Sequence, residues 1–294
     1  MVIDEKFIGK AYPPVTYQIS QEKVKEFVKA VKGEQDKYEN IVPATFPVVY
    51  GSSLLEAVLY DPELNLNLGK LVHGDMEITY HKAARAGDYI TSYLWIDSIF
   101  HKKGHDFVIY KVDSKDSNDE LVCSQTSSFI VRGGNDTDFS FTEKSFIFLS
   151  SLAAKLNFFP KHIETKESIP DYVKLSDTEY GMKVYIDKYM PQRYAGASGD
   201  FNAIHLDSDL GKSVGLGTNI LHGMASMALA ANLYNHYFDL TQLKSFKARF
   251  SKPVKPGDEL EFKMIKDEQD ASKYNFAALN QDGDYVIDKG CFLL

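Results

Sequence analysis

Cysteine is scarce in this chain: Cys123 and Cys291 are the only two among 294 residues. They form no metal-ligand spacing, and two thiols so far apart suit a reducing cytosol better than a disulfide scaffold. Positive charge is also in deficit. Lys and Arg number 33 against 41 Asp and Glu, a net charge of −8, which argues against a non-specific nucleic-acid binder. No stretch approaches the roughly 18 uninterrupted apolar residues of a membrane span. The nearest, residues 146–159, is short and interrupted by Lys155. The opening segment, Met1 to Lys10, lacks the apolar core of a signal peptide. A cytoplasmic protein is the expectation.

What remains is an ordinary globular composition, 44% hydrophobic and 25% charged, enough for one large domain or two small ones. One order of elements runs through the chain twice. The first copy reads as an extended segment (16–20), a helix (21–31), a loop at Pro43 and an apolar helix (46–59). Strands follow at 71–80, 89–100, 106–113 and 121–131. The second reads as a strand (183–188), a loop (199–205), an apolar helix (222–237) and strands at 244–250, 259–266, 274–280 and 285–292. The clearest internal match sets Tyr80-His-Lys-Ala-Ala-Arg-Ala-Gly-Asp88 against Phe250-Ser-Lys-Pro-Val-Lys-Pro-Gly-Asp258, with Lys, Gly and Asp coinciding.

The segment Gly223 to Ala231 is apolar on every side, so it needs a surround rather than a single partner face. Each unit is therefore expected to be a helix wrapped by a curved antiparallel sheet, an α+β fold. Two such sheets set edge to edge leave fewer open edges. The units are placed at 1–133 and 179–294. Residues 134–178 form a linker in which 146–158 is expected to be a helix packed across both.

The most informative string is Tyr194-Ala-Gly-Ala-Ser-Gly-Asp-Phe-Asn-Ala-Ile-His205, followed by Leu221-His-Gly-Met224. It brings a carboxylate, Asp200, close to an imidazole, His205, and puts a glycine, Gly223, at a helix start. An acid/base pair beside a free backbone N–H is what adding or removing water at an activated acyl group requires. Taken alone, an Asp and a His among glycines are more often a capped turn. The whole string turns that reading over.

At these residues the chain resembles the MaoC-like hydratase/dehydratase family of the hotdog fold. Tyr194, Ser198, Gly199, Asp200, Asn202, Ile204 and His205, then His222, Gly223 and Met224, match the family pattern. Ala203 departs from it, standing where the family usually has Pro. The first half resembles the non-catalytic partner domain through Val72 to Asp88. Thr45-Phe46 stands in the place of Gly223-Met224. Glu34 falls near the place of Asp200, and Glu39 where His205 would fall, so one active site per chain is implied.

The resemblance implies a double hotdog that is a hydro-lyase. Its reaction would be the reversible hydration of trans-2-enoyl thioesters to (R)-3-hydroxyacyl thioesters, on coenzyme A or acyl carrier protein, in fatty-acid metabolism. Asp200 and His205 are the implied dyad, and the Gly223 N–H the donor to the thioester oxygen. Asn202, Gly199 and Ser226 support them, and no metal or organic cofactor is required.

His222 and His73 are read as structural residues. Phe46, Val49, Tyr50 and Leu54 are candidates for the acyl tail. Lys244, Lys247, Arg249, Lys252 and Lys255 are candidates for the carrier phosphates. Pairing into a homodimer is an expectation from the fold alone. Alternatives are a hydratase of a short branched or dicarboxylic enoyl-CoA, a thioesterase, and a non-catalytic thioester-binding hotdog.

Overall fold

The computed structural model describes residues 2–134 and 169–294. Eleven strands form one continuous antiparallel sheet in the order β1-β3-β4-β5-β2-β8-β11-β10-β9-β7-β6. The first half supplies β1 (Val15–Gln18), β2 (Leu71–Tyr80), β3 (Tyr89–Lys102), β4 (His105–Lys115) and β5 (Leu121–Val131). The second supplies β6 (Asp171–Lys174), β7 (Glu179–Tyr185), β8 (Ser245–Phe250), β9 (Glu259–Lys266), β10 (Lys273–Leu279) and β11 (Tyr285–Leu293). The halves meet where β2 pairs with β8, Asp75 through Thr79 lying opposite Arg249 through Ser245. This is the α+β double hotdog that the sequence implied.

Repeated hydrogen bonds make the duplication concrete. Val42 N–H donates to Ala84 O at 3.1 Å, and Leu221 N–H to Val254 O at 2.8 Å. Gly87 N–H donates to Ile19 O at 2.8 Å, and Gly257 N–H to Ile186 O at 2.7 Å. These bonds align Ala44-Thr45, not Thr45-Phe46, with Gly223-Met224. The first helix of each half ends in a left-handed residue, Lys32 at φ 56° and Gly199 at φ 84°. Counted from there, the counterparts of Asp200 and His205 are Gly33 and Tyr38, each one residue before the glutamates Glu34 and Glu39.

Helices fill the two concavities unequally. In the second half α6 (Gly223–Tyr237) is buried on all faces, as its even apolarity demands. Its polar Asn232 is satisfied by the first half, donating to Val31 O at 2.7 Å and accepting from Tyr38. Stacked rings of Phe246 and Phe292, 4.5 Å apart, close the sheet beneath it. In the first half the expected helix 46–59 is broken into α2 (Pro47–Tyr50) and α3 (Ser52–Leu59), meeting at Gly51. A split rod cannot fill its sheet as α6 does.

Three further elements differ from expectation. Residues 190–198 form a helix, α4, preceded by α1 (Gln21–Ala30) in the equivalent place of the first half. Pro191 suits its first turn, and Asp187 anchors its start by accepting from Tyr189 N–H at 3.0 Å and pairing with Arg193. Strand β6 lies inside the stretch read as linker and extends the sheet by pairing with β7. A short helix α5 (Ser208–Ser213) is capped by Asp207. The helix expected at 146–158 lies outside the described residues.

Candidate active site

Helix α4 stops at Gly199, whose N–H bonds Ala195 O at 2.9 Å while its φ of 84° turns the chain away. Asp200 is the next residue. Its carboxylate accepts from Asn202 N–H at 3.1 Å. Asn202 in turn caps the short turn Ala203–His205 by accepting from Ile204 N–H at 3.3 Å. Asn219 donates to His205 O at 2.9 Å, fixing that turn from the far side. The loop is thus braced without the proline that Ala203 replaces.

His205 Nδ1 faces the carbonyl of Ile220 at 2.9 Å. A carbonyl only accepts, so Nδ1 carries the proton and Nε2 keeps a free lone pair. His222 Nε2 faces the backbone carbonyl of Asp200 at 3.0 Å and by the same logic is protonated. The two imidazoles stack, and Tyr194 packs against His222 at 4.8 Å.

Burial pushes the His205 imidazole below its ordinary value, against the pull of Asp200. Burial and the neighbouring His205 bring His222 down to about 3. Both rings are neutral near pH 7. For Asp200, burial acts upward, and His222, His205 and the Asn202 N–H outweigh it, so the carboxyl lies below the usual carboxylate value.

Asp200, His205 and His222 each bring a ligating atom within 4.8 Å of the others, a spacing a metal ion could bridge. His222 Nε2 is committed to a carbonyl, while its Nδ1 is buried without a partner among the described residues.

The dyad opens on a cavity of about 230 Å³ lined by Asp200, Asn202, His205, Gly223, Ser226 and residues of both halves. Gly223 begins α6, and no side chain caps that helix. Its first N–H groups lack helical partners and carry the positive end of the helix dipole. A Cβ at Gly223 would meet the Phe250 ring at 3.1 Å, so glycine is needed there for packing as well. The Ser226 hydroxyl is buried without a partner among the described residues.

The first half enters the same site through His73, which lines this cavity and packs on Phe250 at 4.9 Å. A bulge at Gly74, where His73 and Asp75 face successive residues of β5, turns His73 to the inner face shared by Met76 and Ile78. Sequence alternation misses this because the bulge changes its phase. His73 bonds Ser127 Oγ, and burial lowers it to about 4.

A second, narrower cavity of about 70 Å³ continues from Asp200 into the first half. Val48, Leu55 and Leu59 line it. Phe46, Val49 and Leu54, the residues read as tail candidates, turn into the packed core instead. Tyr50 is also buried, bonded to Cys123 Sγ at 3.1 Å. The break at Gly51 rotates the helix face that the cavity sees.

The basic residues separate into two groups. Lys247 and Arg249 alternate outward on β8 and are held by Glu77 and Asp288. Lys244 lies across the sheet, beside a different cavity near Tyr80. Lys252 lines the mouth of the active-site cavity and pairs with Asp284 at 2.7 Å. Lys255 stands beside the loop at Gly217, with Val214 and Leu216 of that loop on the cavity wall.

Residues 174–281 match the family described as MaoC like domain, and residues 6–125 match the FAS1-like, dehydratase domain region. The chain belongs to the MaoC-like dehydratase family. It is accordingly an enzyme of the hydro-lyase class. Its similarity to a probable enoyl-CoA hydratase 2 of Dictyostelium discoideum is 24% identity, covering 100% of this chain and 97% of that protein. A UPF0336 protein of Saccharopolyspora erythraea is 30% identical over 146 residues, 45% of this chain and 94% of the relative. A solved MaoC-like dehydratase superposes with a TM-score of 0.78 at 18% identity, covering 97% of both chains. Among the described residues of this MaoC-like chain, no helix is long and apolar enough to cross a membrane.

Proposed function

We propose that this chain catalyses the reversible hydration of trans-2-enoyl thioesters to 3-hydroxyacyl thioesters, the (R) form following the family resemblance. One observation carries the reading: His205 keeps a free Nε2 beside the ionised Asp200, on a cavity that ends against the bare N-terminus of α6.

In hydration, His205 Nε2 takes a proton from water as the water oxygen bonds to C3. The C2–C3 double bond shifts its electrons towards the thioester carbonyl. The Gly223 N–H and the helix dipole stabilise the oxyanion that forms. The imidazolium then returns the proton to C2, and the balance is one water added. Asp200 accepts the other hydrogen of the water and stabilises the imidazolium while it exists. Dehydration runs the same steps backwards.

Lys252, on the wall of the cavity, and Lys255, beside the loop at Gly217, are the residues we assign to the carrier phosphates. Lys247 and Arg249 point instead to the outer face of the sheet, away from this cavity. The test is loss of enoyl absorbance with crotonyl-CoA and then trans-2-decenoyl-CoA, with His205→Gln as the control. Hydration that disappears in the variant supports the assignment. Hydration of neither thioester, or an unaffected variant, defeats it.

A further inference from the structure

The inner face of the first half is polar where a hydrocarbon site would be apolar. On β5 the inward positions include Gln125 and Ser127, directly opposite Val112 and Tyr110 of β4. Ser127 Oγ donates to Asp75 O at 2.6 Å and meets His73 Nε2. Gln125 is only 4% exposed, and its carboxamide has no hydrogen-bond partner among the described residues. Gln125, Tyr110 and His73 all line the narrow cavity that leads away from Asp200, with Ser52 and Glu56 of α3 also on its wall.

The second half shows what the same strand looks like without this role. Its β11 carries Ile287, Gly290 and Phe292 inward, and the Phe276 ring lies so close that a Cβ on Gly290 would sit 2.4 Å from it. That interior is filled and apolar, whereas the first half leaves a hole and sets an amide beside it. Burying an amide against a hydrocarbon tail forfeits its hydrogen bonds. The occupant that suits it is one that bonds back.

Charge narrows the chemistry further. No Lys or Arg lines this cavity among the described residues, and two carboxylates do, Asp200 and Glu56. A terminal carboxylate on the acyl group would be repelled there without a counter-charge, which disfavours a dicarboxylic acyl group.

Resting on the hydratase reading, we propose that the preferred thioester carries a neutral hydrogen-bonding group, a hydroxyl or carbonyl, on its acyl chain beyond the reacting carbons, and that Gln125 selects for it. Gln125 touches no reacting atom in this scheme. It is a specificity-determining residue delivered by the half without the dyad.

The experiment compares kcat/KM for trans-2-octenoyl-CoA with octenoyl-CoA thioesters bearing one hydroxyl at successive carbons beyond the double bond. Crotonyl-CoA, too short to reach the cavity, reports the chemistry alone. At least one hydroxylated isomer should exceed the plain chain by roughly tenfold or more. Gln125→Met, similar in size and without an amide, should collapse that ratio by a similar factor. Gln125→Leu, which also lacks the amide, serves if the Met variant does not fold.

A plain chain as good as every hydroxylated isomer, or a ratio untouched by the substitution, would mean that water satisfies the carboxamide, and would overturn the proposal. If crotonyl-CoA itself is not hydrated, the hydratase reading fails separately. Calorimetric binding of octanoyl-CoA against hydroxyoctanoyl-CoA then decides the pocket: tighter hydroxylated binding sustains the selectivity, and equal affinity overturns it.

Discussion

The imidazole of His222 lies 3.7 Å from that of His205, ring centre to ring centre, with the planes 26° from parallel. His205 is thus gripped twice, by the Ile220 carbonyl at its edge and by His222 on its face. His222, read from sequence as a structural residue, also holds the carbonyl of Asp200. It holds both Asp200 and His205 from the wall of the same cavity.

His222→Ala should therefore lower kcat by about tenfold or more with little change in KM, since it loosens the dyad rather than the substrate. Losing the buried hydrogen bond should also reduce stability by about 1–3 kcal/mol. Steady-state kinetics and denaturant melts check the two effects; a KM change alone would assign His222 to binding.

Asp200→Asn and His205→Gln should each cost roughly 10²–10⁴-fold in hydration rate while the circular dichroism spectrum is retained. A variant hydrating at the unaltered rate removes its residue from the chemistry.

Gly223→Ala should cost both activity and stability, because the new methyl group meets the Phe250 ring and displaces the first N–H of α6. A kcat loss on the order of 10²-fold matches the removal of one oxyanion donor. Destabilisation of about 1–3 kcal/mol matches the overpacking. If only stability falls, the donor lies elsewhere.

Acid should unfold this protein through buried neutral histidines. His73 and His222 are lowered from 6.5 to about 4 and about 3, and His205 is lowered too. Below pH 6.5 the unfolded chain therefore binds protons that the folded one refuses, so stability falls as pH falls. Each such histidine contributes up to about 1.4 kcal/mol per pH unit until its folded form protonates. Urea midpoints between pH 7 and 4 measure the slope. Replacing His73 with Asn should flatten it.

Lys252→Glu should raise KM for coenzyme A thioesters in a salt-sensitive way with kcat nearly unchanged, whereas Lys247→Glu should not. Lys247 faces outward and is held by Glu77, so its loss costs little in either respect. Equal effects from the two substitutions would place the carrier on the sheet's outer face.

The features legible in the sequence were those written in local order. The string from Ser198 to His205 and the evenly apolar α6 foretold that Asp200, His205 and the start of that helix meet on one cavity, and the Lys82/Lys252 match gave the duplication. What escaped was set by distant contacts. His73 reaches the site only because Gly74 bulges β2. Val48 and Leu55, rather than Val49 and Leu54, line the narrow cavity because Gly51 interrupts the helix. Residues 189–198 are given no element by the sequence, yet 190–198 form α4, held by Asp187 and by packing on α1.

The interruption at Gly51 also divides labour along the polypeptide. In the proposed reaction proton transfer falls to a short stretch near residue 200, while the narrow cavity assigned to the acyl group is lined largely by residues between 48 and 125. Substitutions in the earlier stretch can alter which molecules are accepted and leave the reaction itself intact. A lineage carrying this arrangement can change its diet without relearning its chemistry.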